Sequence, residues 1–509
     1  MSDSTEEDRL WGENPQYGSV LVSPLEATSG ESFDKVPRAR RQLGLASATF
    51  LIFNRVIGTG IFATPSVILL SSGSVGIALL MWVLGAVIAI AGTTVYVELG
   101  TGLPRSGGEK NYLEYIYRRP KFMASCIYGV YTLIGGSNAP NALVFGEYTL
   151  NALALPLTPF NTRLTALLVL TFSLLMIGVL SKSGIRLINT LGTFKFGILV
   201  GIAALGLLSL AGVPGLGVRP EYEQPRNFAS WEAFWGGSRR DANSLVTALY
   251  NVIWSFIGYS NANYALSEVK DPVRTIKRAA PFAILSVAAV YMLVNIAYFG
   301  VVSKADILGS RQIVAALFFR NLFGPATERA LSACIALSSL GNILSVLFTQ
   351  GRVIQELARE GILPSPLNTF FATNKPFGAP LAGLTVLYFI SVVLVVAPPP
   401  GDAYTFLLSV SSYALTLINT LVSFGLLLLH TPAYRPWAWD PPFRAPRAVA
   451  HVLFALAASQ LGVLYWAVWV VWLPRRGGYA LKREWRVQED GVSRFVFVRV
   501  PKAAGTEAE

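Results

Sequence analysis

The sequence predicts an all-α integral membrane protein with about 11 transmembrane helices. Three observations carry that prediction. Of 509 residues, 53% are hydrophobic and 14% charged, where a soluble protein carries about a quarter charged residues. Apolar runs of roughly 20 residues recur, each long enough to cross a ~30 Å hydrocarbon core. Lysine and arginine gather in alternate loops, with about 21 on one side and about 9 on the other. A β-barrel would show short alternating segments instead. The net charge of +12 does not point to nucleic acid, because the basic residues sit in short loops between apolar runs.

The elements follow in order. Residues 1–41 are polar and acidic, with the composition of a disordered tail rather than a cleaved signal peptide. The charge bias places this tail in the cytoplasm, beside Lys35, Arg38, Arg40 and Arg41. Spans are expected at 43–71, 75–98, 122–150, 163–181, 187–212, 244–267, 279–302, 327–350, 380–397, 402–430 and 449–473. The loop 213–243 is extracellular, 431–473 holds a loop and the last span, and 474–509 is a C-terminal tail. After an odd number of spans that tail lies outside, although it carries Arg475, Arg476, Lys482, Arg483 and Arg486. Cys126 and Cys334 fall inside spans, so no disulfide framework is expected. No cluster suggests a metal, a cofactor or an enzyme's catalytic centre.

Two spans are interrupted. "NRVIGTGIFATP" puts Gly58, Thr59 and Gly60 where a membrane helix should be strongest. The sixth span carries Gly258 and a polar run from Tyr259 to Asn263. Breaking a helix in lipid strands N–H and C=O groups at several kcal/mol each, about what an unpaired polar group costs there. The gap is tolerable when a polar ligand fills it. N–H groups at the start of a half-helix bind an anion, and C=O groups at the end of the preceding half bind a cation. An α-amino acid offers both charges a few Å apart. Interrupted spans five helices apart point to two repeats of opposite topology, 42–212 and 244–430, with a site at the breaks.

"VIGTGIFATP" and "VELGTGLPRSGGEKNYL" resemble amino acid–polyamine–organocation permeases, whose fold is of the leucine-transporter type with a 5+5 inverted repeat. "SFIGYSNANYALSEVKDPVRTIKRAAP" and "YWAVWVVWLPRRGGYALKREW" resemble the fungal high-affinity methionine permeases of the L-type amino acid transporter group. The resemblance implies a carboxylate cradle at Gly58, Thr59, Gly60 and Ile61. It gives the substrate ammonium to the carbonyls of Ile57, Phe256 and Ile257, with Phe256 as a lid. Side-chain contacts are expected from Gly136, Ser137, Asn138, Gly258, Tyr259, Asn261, Asn342 and Asn419; for the asparagines, interhelical hydrogen bonding is the competing reading. Lys195, about two turns into span five, resembles the lysine that replaces a sodium ion in proton-coupled members; snorkelling to the interface competes. Glu98, Glu109, Glu147 and Glu268 lie near span ends, where interfacial anchoring, cytoplasmic gating and proton coupling compete, and Glu268 with Lys270 and Arg274 reads as an inner gate or a solvated charge run.

The implied function is import of a neutral amino acid, methionine foremost, with protons across the plasma membrane. Another neutral amino acid, cysteine, a polyamine, or a receptor that moves nothing are the alternatives. By resemblance to fungal permeases, the N-tail, with Lys35 as its lone lysine, meets an adaptor for a ubiquitin ligase; a passive solubilising tail is the competing reading. The resemblance also implies 12 spans, one more than expected here. The gap falls between "DPPFRAPR" and "HVLFALAASQLG", where only "AVA" remains.

Overall fold

The computed structural model of the chain describes residues 41, 43–58, 60–117, 123–135, 137–309, 314–325, 327–359, 367–397, 418–431, 439–445, 476, 479–487 and 493–501. They divide between two units, Met1–Ala448 and Val449–Glu509. Lys35, the eleventh span and the "AVA" junction lie outside the described residues.

In the first unit, span one is two helices, α1 (Leu45–Val56) and α2 (Gly60–Ser72). Ile57 ends α1 by leaving the helical region, at φ −78° and ψ 82°. Span two is α3 (Val75–Gly102), capped by Ser74, whose Oγ accepts from the Ile77 N–H at 3.3 Å. The loop after it carries α4 (Glu109–Ile116). Span three corrects the sequence reading of one helix over 122–150: it is α5 (Met123–Gly135) and α6 (Ala139–Ala152). Pro140 explains the interruption, since it has no N–H and its ring crowds the preceding turn. Span four is α7 (Pro159–Gly178) and span five α8 (Ser181–Leu210). The loop 213–243 contains α9 (Trp231–Trp235).

Span six begins as α10 (Ala242–Ser255) and resumes as a 3-10 helix, Asn261–Glu268. Span seven is α11 (Pro272–Val301), followed by α12 (Lys304–Gly309) and α13 (Val314–Phe323). Span eight, α14 (Thr327–Arg359), runs past the expected end at 350 and carries Arg352 and Arg359 on its last turns. After α15 (Leu367–Ala372) come α16 (Leu381–Val396) as span nine and α17 (Ile418–Leu429), the described part of span ten.

Among the described residues, five helices are each long and apolar enough to cross a membrane alone. The interrupted spans cross as pairs of shorter pieces. Packing sorts the helices by depth. α7 exposes Leu164, Leu168, Phe172 and Leu175, as a lipid-facing helix does, whereas Ile343, Leu344, Leu347 and Phe348 of α14 are buried. α14 packs against α1, α6, α7, α8 and α16. Spans one and six lie half against half: α10 packs on α2, and the 3-10 helix on α1. The breaks are thereby brought together at the centre of the unit.

In the second unit, β1 (Tyr479–Val487) and β2 (Ser493–Pro501) pair antiparallel, with Tyr479 opposite Pro501 and Val487 opposite Ser493. The C-terminal tail over 474–509 carries this hairpin. The alternating run "RFVFVRV" is rich in the β-branched and aromatic residues that suit a strand.

Candidate functional site

The first break is built from α1's last carbonyls and α2's first amides. The Ile57 N–H reaches the Phe53 carbonyl at 2.7 Å, and the Gly58 N–H the Val56 carbonyl at 2.9 Å. The amides of Gly60 and Ile61 open α2, where helical N–H groups have no partner within their own helix. Thr59 lies outside the described residues. Gly60 is required by close approach: a Cβ there would meet Ser255 Cα at 3.1 Å and its Oγ at 3.0 Å. Thr64 Oγ1 bonds the Gly60 carbonyl at 2.9 Å and Ser255 Oγ at 3.0 Å, stitching α2 to α10.

The second break runs from Phe256, the C-cap of α10, to Ser260 before the 3-10 helix. Gly258 has φ +121°, and a Cβ there would run into the side chain of Arg55. The Phe256 ring, 2% exposed, packs at 6.0 Å from Trp82 and 5.3 Å from Tyr291. The Tyr291 hydroxyl donates to the Val56 carbonyl at 3.0 Å, tying span seven to the first break. The Ile257 N–H bonds the Trp254 carbonyl at 3.1 Å.

Two cations stand at these breaks. Lys195, 2% exposed, donates from Nζ to the carbonyls of Ile57 at 2.7 Å and Asn54 at 3.2 Å. Gly341 makes room for it, since a Cβ there would press on Lys195 Cε and Nζ. The sequence reading gives the Ile57 carbonyl to a substrate ammonium; here its partner is the protein's own lysine. The lysine does not snorkel, because its ammonium is bonded inside the unit. Arg55 donates from Nη1 to Asn342 Oδ1 at 3.3 Å, and Asn342 Nδ2 returns a bond to the Arg55 carbonyl at 2.9 Å. Asn141 Nδ2 reaches the same Asn342 oxygen at 3.1 Å. Sequence reasoning assigned Arg55 nothing, although a charged residue three positions before Gly58 in an apolar run is itself a signal.

The remaining expected residues divide. Asn138 stands at the span-three interruption, 1% exposed; its N–H bonds Ser391 Oγ at 3.0 Å, and its Oδ1 is buried without a partner among the described residues. Gly136 lies outside the described residues, and Ser137 is half-buried. Asn261 is an interhelical tie, with Nδ2 on the Leu51 carbonyl at 3.1 Å and Ser345 Oγ at 3.0 Å, and Thr349 donating to its Oδ1 at 3.0 Å. Tyr259 packs edge-on to Tyr96 at 5.6 Å, and Asn419 accepts from the Tyr96 hydroxyl at 2.6 Å. These last two belong to a second polar cluster around Glu109. Glu268 does not pair with Lys270 or Arg274; Arg352 of α14 takes it at 2.5 and 2.9 Å, with its guanidinium over the Phe348 ring.

Discontinuous helices, packed so that their breaks meet within a bundle of membrane-crossing helices, define a multi-pass membrane transport protein with an intramembrane polar site. A sequence profile of amino acid permeases matches residues 43–477. The chain belongs to that amino acid permease family, which consists of transporters rather than enzymes, and it carries amino acids across a membrane. It is 40% identical to the high-affinity methionine permease of Saccharomyces cerevisiae, over 96% of this chain and 92% of that one. It is 31% identical to the low-affinity methionine permease of the same yeast, over 88% and 80% of the two chains. It is 30% identical to the large neutral amino acids transporter small subunit 2 of Rattus norvegicus, over 70% and 64%. The first alignment spans 535 positions, more than the 509 residues present, so that permease has positions without a counterpart here.

Proposed function

We propose that this permease imports methionine, a neutral L-amino acid, by proton symport across the plasma membrane, with a cytoplasmic N-terminus. The observation that carries the reading is the meeting of the two breaks with Lys195 bonded to the end of α1. The substrate carboxylate takes the first amides of α2, at Gly60 and Ile61 beside Gly58 and Thr59, at the positive end of that helix. Its ammonium takes the carbonyls of Phe256 and Ile257 and the remaining lone pair of Ile57. Phe256 covers it, and Asn138 Oδ1 offers a further acceptor. Arg55 and Lys195 at the breaks attract a carboxylate and repel a polyamine. The names of the two yeast relatives favour methionine among neutral substrates.

Lys195 acts as the coupling group in this reading. Its ammonium supports the negative end of α1, and loss of its proton weakens that support. An inside-negative potential supplies about 2.3 kcal/mol per charge per 100 mV, so one co-transported proton makes uptake concentrative. One helix bundle rocks against a scaffold around the two breaks, and Glu268–Arg352 latches the cytoplasmic end. Lys35 serves a ubiquitin-ligase adaptor. Labelled methionine uptake in a permease-deficient cell, competed by a full panel of unlabelled amino acids, tests the reading. Strong competition by methionine is expected, with uptake rising at acidic pH. Absence of accumulation at every pH, or competition only by other amino acids, overturns it.

A further inference from the structure

Glu109 opens α4, outside the spans, and is 0% exposed. Its Oε1 accepts from Tyr264 at 2.8 Å, Tyr96 at 3.0 Å and Ser260 at 3.1 Å, and its Oε2 from Tyr128 at 3.0 Å. Among the described residues no cation forms an ion pair with it; the adjacent Lys110 pairs with Glu114 at 3.0 Å. Its side-chain partners are therefore four neutral hydroxyls, with a backbone hydrogen bond beside them.

The proton count at Tyr96 is informative. Its hydroxyl lies 2.6 Å from Asn419 Oδ1 as well as 3.0 Å from Glu109. A phenol has one proton to give. When it goes to Asn419, the contact with Glu109 is a hydrogen bond only if Glu109 donates, which requires its protonated form. When the Asn419 amide turns over, its NH2 donates to Tyr96, and Tyr96 donates to a charged Glu109. The cage therefore accommodates both forms, with Asn419 following the proton.

The hydroxyls also come from separate parts of the molecule. Tyr96 is on span two, Tyr128 on the first half of span three, and Ser260 and Tyr264 on the second half of span six. The other titratable groups in its field are Tyr112 on its own helix, Tyr131 on α5, Tyr259 ahead of the 3-10 helix and Arg55 on α1. A rigid movement of span six against span three changes how many donors the carboxylate has.

We propose that Glu109 is a second station for the transported proton beside Lys195, holding it while these helices are packed as here and releasing it when the second half of span six moves away from span three. The inference rests on the proton-symport reading. Burial raises the carboxyl's pKa, and the hydrogen bonds from Tyr264, Tyr96 and Tyr128 pull it partly back. Hydration on opening returns it toward ~4.3, so the proton leaves into neutral cytoplasm.

The test uses the full chain in proteoliposomes, with labelled methionine uptake and an internal pH dye read together. Wild type is expected to show methionine-driven proton entry. Glu109→Gln is expected to lose that entry and the pH dependence of uptake, with counterflow exchange of labelled methionine checking that it is folded. Tyr128→Phe removes one donor to the charged form, so the midpoint of its pH profile moves up by about one unit. Wild-type proton entry that persists in Glu109→Gln overturns Glu109 while leaving symport standing. No proton entry in wild type overturns symport and Glu109 with it. Where Glu109→Gln shows no exchange, an unshifted midpoint in Tyr128→Phe overturns the proposal.

Discussion

Lys195 and Glu109 are two buried charges solved in opposite ways. The lysine is held by two backbone carbonyls of one short segment, Asn54 and Ile57. The glutamate is held by side-chain hydroxyls from three spans. Carbonyls only accept, and those two are fixed by the end of α1, so the lysine registers the local shape of one break. Hydroxyls both give and accept, so the glutamate's cage registers how the spans lie relative to one another. A group bonded to one neighbour's backbone travels with that neighbour. A group shared among several changes its surroundings whenever they part.

The strongest way to break this contrast is to remove the frame both charges depend on. Gly60→Val is expected to bring uptake to background while surface delivery persists. Its side chain drives into the Ser255 backbone, and overpacking of ~1–3 kcal/mol falls on the point where α2 meets α10. Uptake beside surface biotinylation reads the outcome; near-normal uptake would remove the break from the transport site.

Next in size is Lys195→Ala. Losing hydrogen bonds from a charged donor, worth ~1.5–3 kcal/mol each, is expected to lower uptake at least ~10-fold and flatten its pH profile. Lys195→Arg should not restore it, because a guanidinium keeps its proton and Gly341 leaves no spare volume. An alanine variant with the wild-type pH profile would reduce Lys195 to an anchor.

The Glu268–Arg352 latch sets a third, smaller comparison, because its carboxylate is 24% exposed and its guanidinium 5%. Breaking it by Arg352→Gln is expected to cost about 1–3 kcal/mol, below the value for a fully buried pair because solvent screens the glutamate. Thermal unfolding in detergent checks this. Adding Glu268→Gln to Arg352→Gln should cost less than the two single changes summed, and simple additivity would show that the pair is not coupled.

The smallest effect is a pH slope. Glu109's pKa is raised in the folded state, chiefly by burial. Its contribution to stability is therefore complete below the unfolded value of ~4.3 and is lost as pH rises through the raised folded value. Melting temperature should fall as pH rises across that window, and Glu109→Gln should lack this slope. A slope unchanged by the substitution would assign it to another group.

The interrupted spans at Gly58–Gly60 and Gly258–Asn263 were legible because glycines and polar residues stand out in an apolar run. The span-three interruption was equally marked by Pro140 behind a glycine pair, but an apolar run of the right length concealed it. Glu109 was visible as a carboxylate near a span end, with anchoring, gating and proton coupling all open to it. Tyr96, Tyr128, Ser260 and Tyr264 reach it from separate stretches of sequence, and nothing local in any of them announces a shared partner. The Glu268 partner was missed for the same reason: Lys270 and Arg274 are near in sequence, whereas Arg352 is near in space.

Glu98, at the end of span two, bears on the biogenesis of this chain. It is 0% exposed and bonds His430 Nε2 at 2.8 Å, the Trp439 indole N–H at 3.0 Å and the Ala445 N–H at 2.6 Å. All three partners are translated more than 300 residues after Glu98. A nascent chain stopped before residue 430 therefore carries this carboxylate without those partners, and its second span is incompletely satisfied throughout synthesis. Completion of the chain supplies them together, so that truncated products carry a mark of incompleteness at the membrane surface that the finished permease has hidden.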